Sequence, residues 1–115
     1  MDIKLRKVTI DESEKLCELQ KLGFCELLEK YRDYATNPGA ESVARIRQRF
    51  ENSKVDQYWI QLGVIDIGYI RIQQKENNLY RLSQMFILPA FQDRGYAQKA
   101  IQQAEAKYQI GRAHV

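Results

Sequence analysis

The residues of this chain best suited to chemistry by type and spacing lie in one short turn, Gln92-Asp93-Arg94-Gly95-Tyr96-Ala97. The turn follows an apolar, strand-like segment, Leu82-Ser83-Gln84-Met85-Phe86-Ile87-Leu88, that ends at Pro89, and it precedes a segment with helical spacing. A strand that hands over to a helix leaves several backbone N–H groups without acceptors, and the positive end of the helix dipole lies behind them. Such a turn can hold an anion. Gly95 lets a ligand come close to the backbone, and Ala97 is small enough to do nearly the same.

Other reactive residue types are sparse. The single histidine, His114, sits near the end of the chain, and neither cysteines nor carboxylates fall at ligand spacing, so no metal site is expected. Cys17 and Cys25 share one helix-like segment and stand roughly 12 Å apart along its axis. That separation is beyond disulfide reach, so they read as buried thiols of a reducing compartment.

Composition narrows the setting. The 115 residues make one domain, and 44% hydrophobic with 29% charged residues is ordinary for a soluble globular protein. A net charge of +3 spread along the chain, without a clustered basic stripe, argues against a dedicated nucleic-acid binder. No apolar run could span a membrane, and Met1-Asp2-Ile3-Lys4 lacks a signal-peptide core, which leaves the cytoplasm as the expected location.

The elements that must position the turn can be read in order. Ile3 to Val8 alternates apolar and charged residues, as a short strand near a sheet edge does. Asp11 and Glu14 suggest a capping box for a long first helix that Gly23 could interrupt. Asn37-Pro38-Gly39 is a turn signal, and Glu41 to Glu51 reads as a second helix with Val43, Ile46 and Phe50 on one stripe. Arg45, Arg47 and Arg49 around its other sides read as a solvated face. From Gln57 the period changes to that of strands: Tyr58 to Leu62, Ile65 to Gln74, a polar turn at Lys75 to Asn78, then Leu79 to Leu88. Ala97, Ala100, Ile101, Ala104 and Tyr108 mark one face of a third helix. The expected fold class is α+β: strand, two helices, three strands and a helix, built on a mainly antiparallel twisted sheet.

Gly68 early in the third strand and the run from Met85 to Ala97 resemble the acetyl-CoA motif of GCN5-related N-acetyltransferases, the GNAT family. That motif is written Gln/Arg-x-x-Gly-x-Gly/Ala, and Gln92, Gly95 and Ala97 fill it. The resemblance covers Leu5 to Tyr108 and implies the N-terminal part of the acyl-CoA N-acyltransferase fold. It implies transfer of an acetyl group from acetyl-CoA to a small-molecule or peptide amine. The implied cofactor-binding residues are Met85, Phe86 and Ile87 along the pantetheine arm, and Gln92, Asp93, Arg94, Gly95, Tyr96 and Ala97 around the pyrophosphate. Some relatives carry a glutamate base on this strand where the chain has Arg81. Glu76, Tyr80 and Tyr69 are weaker substitutes, so no catalytic residue is assigned.

In the family a further strand normally follows the third helix. By that comparison residues 1–110 form a single domain that is incomplete on its C-terminal side, and 111–115 are a tail of unclear origin. An apolar motif strand left at an edge invites pairing, which a homodimer would satisfy. An alternative function follows: a non-catalytic or truncated remnant that binds coenzyme A weakly or serves as an interaction module. A nucleic-acid-binding domain using Tyr58, Trp59, Tyr69 and Tyr80 for stacking is the third and least favoured reading, because core packing is the commoner use of strand aromatics.

Overall fold

The computed structural model describes residues 3–31, 42–75 and 79–108. The Asn37-Pro38-Gly39 signal, the turn beyond Lys75, the Cys25 side chain and the tail 111–115 lie outside them. The order of elements is β1 (Ile3–Lys7), α1 (Ser13–Tyr31), α2 (Val43–Arg49), β2 (Val55–Leu62), β3 (Ile65–Gln74), β4 (Tyr80–Ile87) and α3 (Tyr96–Lys107). Single 3₁₀ turns at Ile10–Glu12 and Pro89–Phe91 lead into α1 and out of β4. The α+β class and the mainly antiparallel sheet are as the sequence predicts.

Among the described residues the strands form one antiparallel sheet in the order β1-β2-β3-β4. Period-two alternation gives the sheet two apolar faces. Tyr58, Ile60, Ile70, Ile72 and Ile87 pack with Ala100 and Ala104 of α3 on one face. Trp59, Tyr69 and Phe86 pack with Leu16 and Cys17 of α1 and Ile46 of α2 on the other. The result is three layers, with the sheet between α3 and the α1–α2 pair.

Three local readings change. The capping box precedes α1 by one turn: the Thr9 N–H donates to Glu12 Oε1 at 3.0 Å, and Asp11 is not the cap. Arg6 decides the position, because its guanidinium grips Glu12 with two hydrogen bonds of 3.2 and 2.8 Å and fixes that carboxylate beside Thr9. The second helix is shorter than expected and starts after Ser42, whose side chain accepts from the Arg45 N–H at 3.2 Å. Helix α1 also runs unbroken through Gly23. Gly23 is there for contact, since a Cβ would lie 2.6 Å from Phe86 Cδ1 of β4.

Candidate functional site

The site begins at β4, an end strand of the described sheet. The Leu88 N–H donates to the Ile67 carbonyl at 2.8 Å, and the register pairs Tyr69 with Phe86 and Arg71 with Gln84. Hydrogen bonding alternates along an antiparallel pair, so Gln84, Phe86 and Leu88 direct their backbone groups to β3. Met85 and Ile87 therefore direct theirs to the open edge. The Ile87 carbonyl on that edge accepts a hydrogen bond from Gln92 Nε2 at 2.8 Å. Gln92 thus folds the turn back against the end of its own strand.

Beyond Gln92 the backbone becomes unusual. Asp93 has φ 61° and Gly95 has φ 81°. Left-handed conformations at these two positions coil the chain tightly before α3. The bond from the Lys99 N–H to the Gly95 carbonyl, 3.2 Å, opens the helix. Among the described residues no backbone carbonyl accepts from the N–H groups of Asp93 to Gln98. A Cβ built on Gly95 meets nothing within 4 Å, so the protein leaves the space above this backbone open. Aligned donors, a helix dipole and open space together suit a phosphate group.

Helix α3 aims the turn, and both its apolar face and its C-terminal end hold it. Ala100 and Ala104 are fully buried against the sheet, and Gln103 Nε2 donates to the Ile3 carbonyl at 2.7 Å. At the C-terminal end Tyr108 donates its hydroxyl to Asp56 Oδ2 at 2.7 Å and also meets the Tyr58 hydroxyl. Burial first, then these two partners, push the Tyr108 phenol well above the ordinary tyrosine range, so it stays protonated. The Tyr80 ring packs on Tyr108 with centroids 4.9 Å apart.

The predicted site residues divide by position. Gln92, Asp93, Arg94 and Gly95 are exposed at the turn, while Tyr96 and Ala97 are half-buried with their side chains against the α3-facing core. Met85 and Ile87 put side chains into that same core and backbone groups on the edge. Phe86 stands apart: its backbone pairs with β3, and its ring stacks on Tyr69 on the opposite face, 5.6 Å between centroids. Of the weaker catalytic candidates, Tyr69 is fully buried and donates to Gln57 Oε1 at 2.6 Å, Tyr80 belongs to the Tyr108 cluster, and Glu76 lies outside the described residues. Arg81 is exposed on β4 opposite Gln73.

A second concavity escaped the sequence reading. A cleft of about 340 Å³ between α2 and the sheet is lined by Arg45, Gln48 and Arg49 of α2, Arg71 and Gln73 of β3, and Ser83 of β4, among others. Of the helix arginines, Arg45 and Arg47 are exposed, as a solvated face requires, and Arg49 is half-buried. Arg47 approaches Glu14 of α1 at 3.7 Å, and Arg45 and Arg49 are among the residues that line the cleft. Their spacing of four along the helix was the available signal. Arg71 could be joined to them only once the strands were folded.

The family model described as the acetyltransferase (GNAT) family matches residues 24–113. No curated protein sequence matches the chain significantly. Among solved structures, an acetyltransferase from Thermus thermophilus is 17% identical with a TM-score of 0.72, and the match covers 92% of this chain and 69% of that one. A GNAT family acetyltransferase from Brucella melitensis in complex with acetyl-CoA is 18% identical with a TM-score of 0.66, covering 91% of this chain and 67% of that one. The PaiA N-acetyltransferase from Thermoplasma acidophilum, in complex with coenzyme A, is 18% identical with a TM-score of 0.62, covering 92% and 71%. These likenesses carry the fold, a layered sheet flanked by helices. With a family match across most of its length, the chain belongs to the GNAT family of acetyltransferases.

Proposed function

We propose that this protein is an acetyl-CoA-dependent N-acetyltransferase that acts on an amine. The observation that carries the reading is the run of N–H groups from Asp93 to Gln98, without backbone acceptors among the described residues and open to solvent above Gly95. The pyrophosphate of acetyl-CoA matches it in charge and in acceptor number, since each charge-assisted bond is about twice as strong as a neutral one. Arg94, exposed beside the turn, adds a cation for a further phosphate. The edge groups of Met85 and Ile87 can hold an amide-bearing arm as an added strand.

Acetyl-CoA supplies an acetyl thioester whose C–S bond breaks as the amine nitrogen forms the amide C–N bond and gives up a proton, which the departing thiolate takes up. This chain's own contribution is positional. The turn fixes one end of the ligand, the β4 edge orients the arm, and an outward N–H of that edge can donate to the thioester oxygen. Among the described residues none is assigned as base or acid.

The test is calorimetric titration of acetyl-CoA into the full chain, followed by an acetyl-transfer assay over a panel of amines. Saturable binding with turnover of at least one amine supports the reading. Absence of heat at millimolar acetyl-CoA removes it, and binding without turnover of any amine favours a coenzyme-A-binding role without catalysis.

A further inference from the structure

We infer that Gln92 is a positioning residue that sets where the arm of acetyl-CoA stops along β4. Its side-chain amide covers the acceptor of the strand edge next to the turn, and so selects the backbone groups with which the arm pairs. The inference deepens the acetyltransfer reading and rests on it.

Antiparallel pairing turns the N–H and C=O of Met85 and Ile87 to the open edge. Gln92 Nε2 donates to the Ile87 carbonyl at 2.8 Å. A donor tethered so near in the chain is always present at that acceptor, whereas an arm must give up freedom to displace it. The tethered donor therefore keeps the site. What remains for an arm, from the turn outward, is the Ile87 N–H, the Met85 carbonyl and the Met85 N–H: donor, acceptor, donor. With the Ile87 carbonyl uncovered, an arm N–H meant for the Met85 carbonyl could pair there instead. Everything beyond it would shift by one strand repeat of two residues, roughly 7 Å, and the thioester would leave its place.

The same residue divides the strand from the anion turn. The Gln92 N–H is directed to the Pro89 carbonyl at 3.4 Å, and its side-chain nitrogen is committed to the Ile87 carbonyl. Oε1 is an acceptor and has nothing to offer a phosphate. The N–H groups without backbone acceptors among the described residues begin only at Asp93. Gln92 therefore serves the arm, and the residues after it serve the phosphates. The carbonyl that it covers belongs to a residue anchored in the α3-facing core, so the stop stands on a fixed support.

The experiment compares the wild-type chain with Gln92→Met, which keeps the length of glutamine and cannot donate, and Gln92→Arg, which restores a donor. Calorimetry uses ADP, which carries a pyrophosphate without the arm, and acetyl-CoA. Acetyl-transfer kinetics follow on an amine that the wild type turns over. In Gln92→Met the affinities for ADP and acetyl-CoA should stay within about threefold of wild type, while kcat falls by about 10- to 100-fold because the thioester is misplaced. Gln92→Arg should recover most of kcat. An unchanged kcat in Gln92→Met overturns the inference. Tenfold weaker ADP binding in that variant also overturns it, because Gln92 would then serve the phosphates or the shape of the turn. If the wild type binds acetyl-CoA but acetylates no amine, the acetyltransfer reading fails by itself. The register is then read by NMR from acetyl-CoA labelled with carbon-13 at the thioester carbonyl. A bound signal shared by wild type and Gln92→Arg and displaced in Gln92→Met supports the inference, and one signal common to all three overturns it. A wild-type chain that binds no acetyl-CoA removes both readings.

Discussion

Gly95→Ala separates the two tasks that this glycine performs. The first is conformational. Gly95 has φ 81° and ψ 6°, a left-handed conformation that costs an alanine about 1–2 kcal/mol. No steric term adds to this, because a Cβ there meets nothing within 4 Å. At about 4 °C per kcal/mol for a domain of this size, the melting temperature should fall by roughly 4–8 °C. The protein should therefore remain folded at 25 °C, so binding can be measured cleanly.

The second task, on the proposed reading of the turn, is to leave room for a phosphate. The same Cβ would stand in the space above the N–H groups of Asp93 to Gln98, and a phosphate kept away from one or two of them loses charged hydrogen bonds of about 1.5–3 kcal/mol each. Acetyl-CoA affinity should fall at least about tenfold. Gly95→Asn provides the control, because asparagine tolerates the left-handed conformation better and should recover part of the stability without recovering affinity. Thermal unfolding and calorimetric titration of both variants measure the two effects separately. A folded Gly95→Ala chain that binds acetyl-CoA within threefold of wild type would refute the assignment of this turn to the pyrophosphate.

Three further outcomes follow from particular contacts. Gly23→Ala should lower stability by about 1–3 kcal/mol through overpacking, because its Cβ would lie 2.6 Å from Phe86 Cδ1, and acetyl-CoA affinity should fall with it, since Phe86 is part of β4; thermal melts and titration check both. The Arg6 guanidinium holds the Glu12 carboxyl down to about 2, so this pair contributes stability above pH 4.5 that is lost as pH falls toward 2; Glu12→Gln should cost about 1 kcal/mol at pH 7, discounted for solvent exposure, and flatten the acid limb of a stability-versus-pH curve. Tyr108 is pushed upward, so its contribution is complete below about pH 10, the ordinary tyrosine value, and is lost above it; Tyr108→Phe should cost about 1–3 kcal/mol at neutral pH by leaving Asp56 short of a donor, and should blunt alkaline unfolding followed by circular dichroism.

Local pattern carried the element order and the turn, and failed where residues distant in sequence decide. Tyr58, Trp59 and Ile60 announce a strand by type, and Ala100 and Ala104 announce a helix face that packs closely, so both could be read before folding. The capping box is ambiguous by local pattern, because Thr9 and Glu12 share the spacing of Asp11 and Glu14, and the pairing of Arg6 with Glu12 favours the former. Gly23 reads as a helix breaker because its partner Phe86 is far along the chain. Gln92 was legible as a motif residue, but its bond to the Ile87 carbonyl depends on how β4 ends. The arginine cleft needs α2, β3 and β4 together, and the bulge at Ser83 follows from pairing rather than from composition.

The β3–β4 pairing also decides which helix controls the open edge of β4. A slip of one residue between β3 and β4 would exchange the two sets of backbone groups, sending those of Phe86 outward and those of Met85 and Ile87 to β3. It would also move the Phe86 ring from the α1 face to the α3 face, where Ala100 and Ala104 pack closely against the sheet. On the α1 face the ring is held by its stack on Tyr69 and by the gap that Gly23 leaves in α1. Those two contacts therefore select the register in which Met85 and Ile87 face the open edge. Helix α1, on the opposite side of the sheet from α3 and the anion turn, sets the register of the strand along which acetyl-CoA would lie.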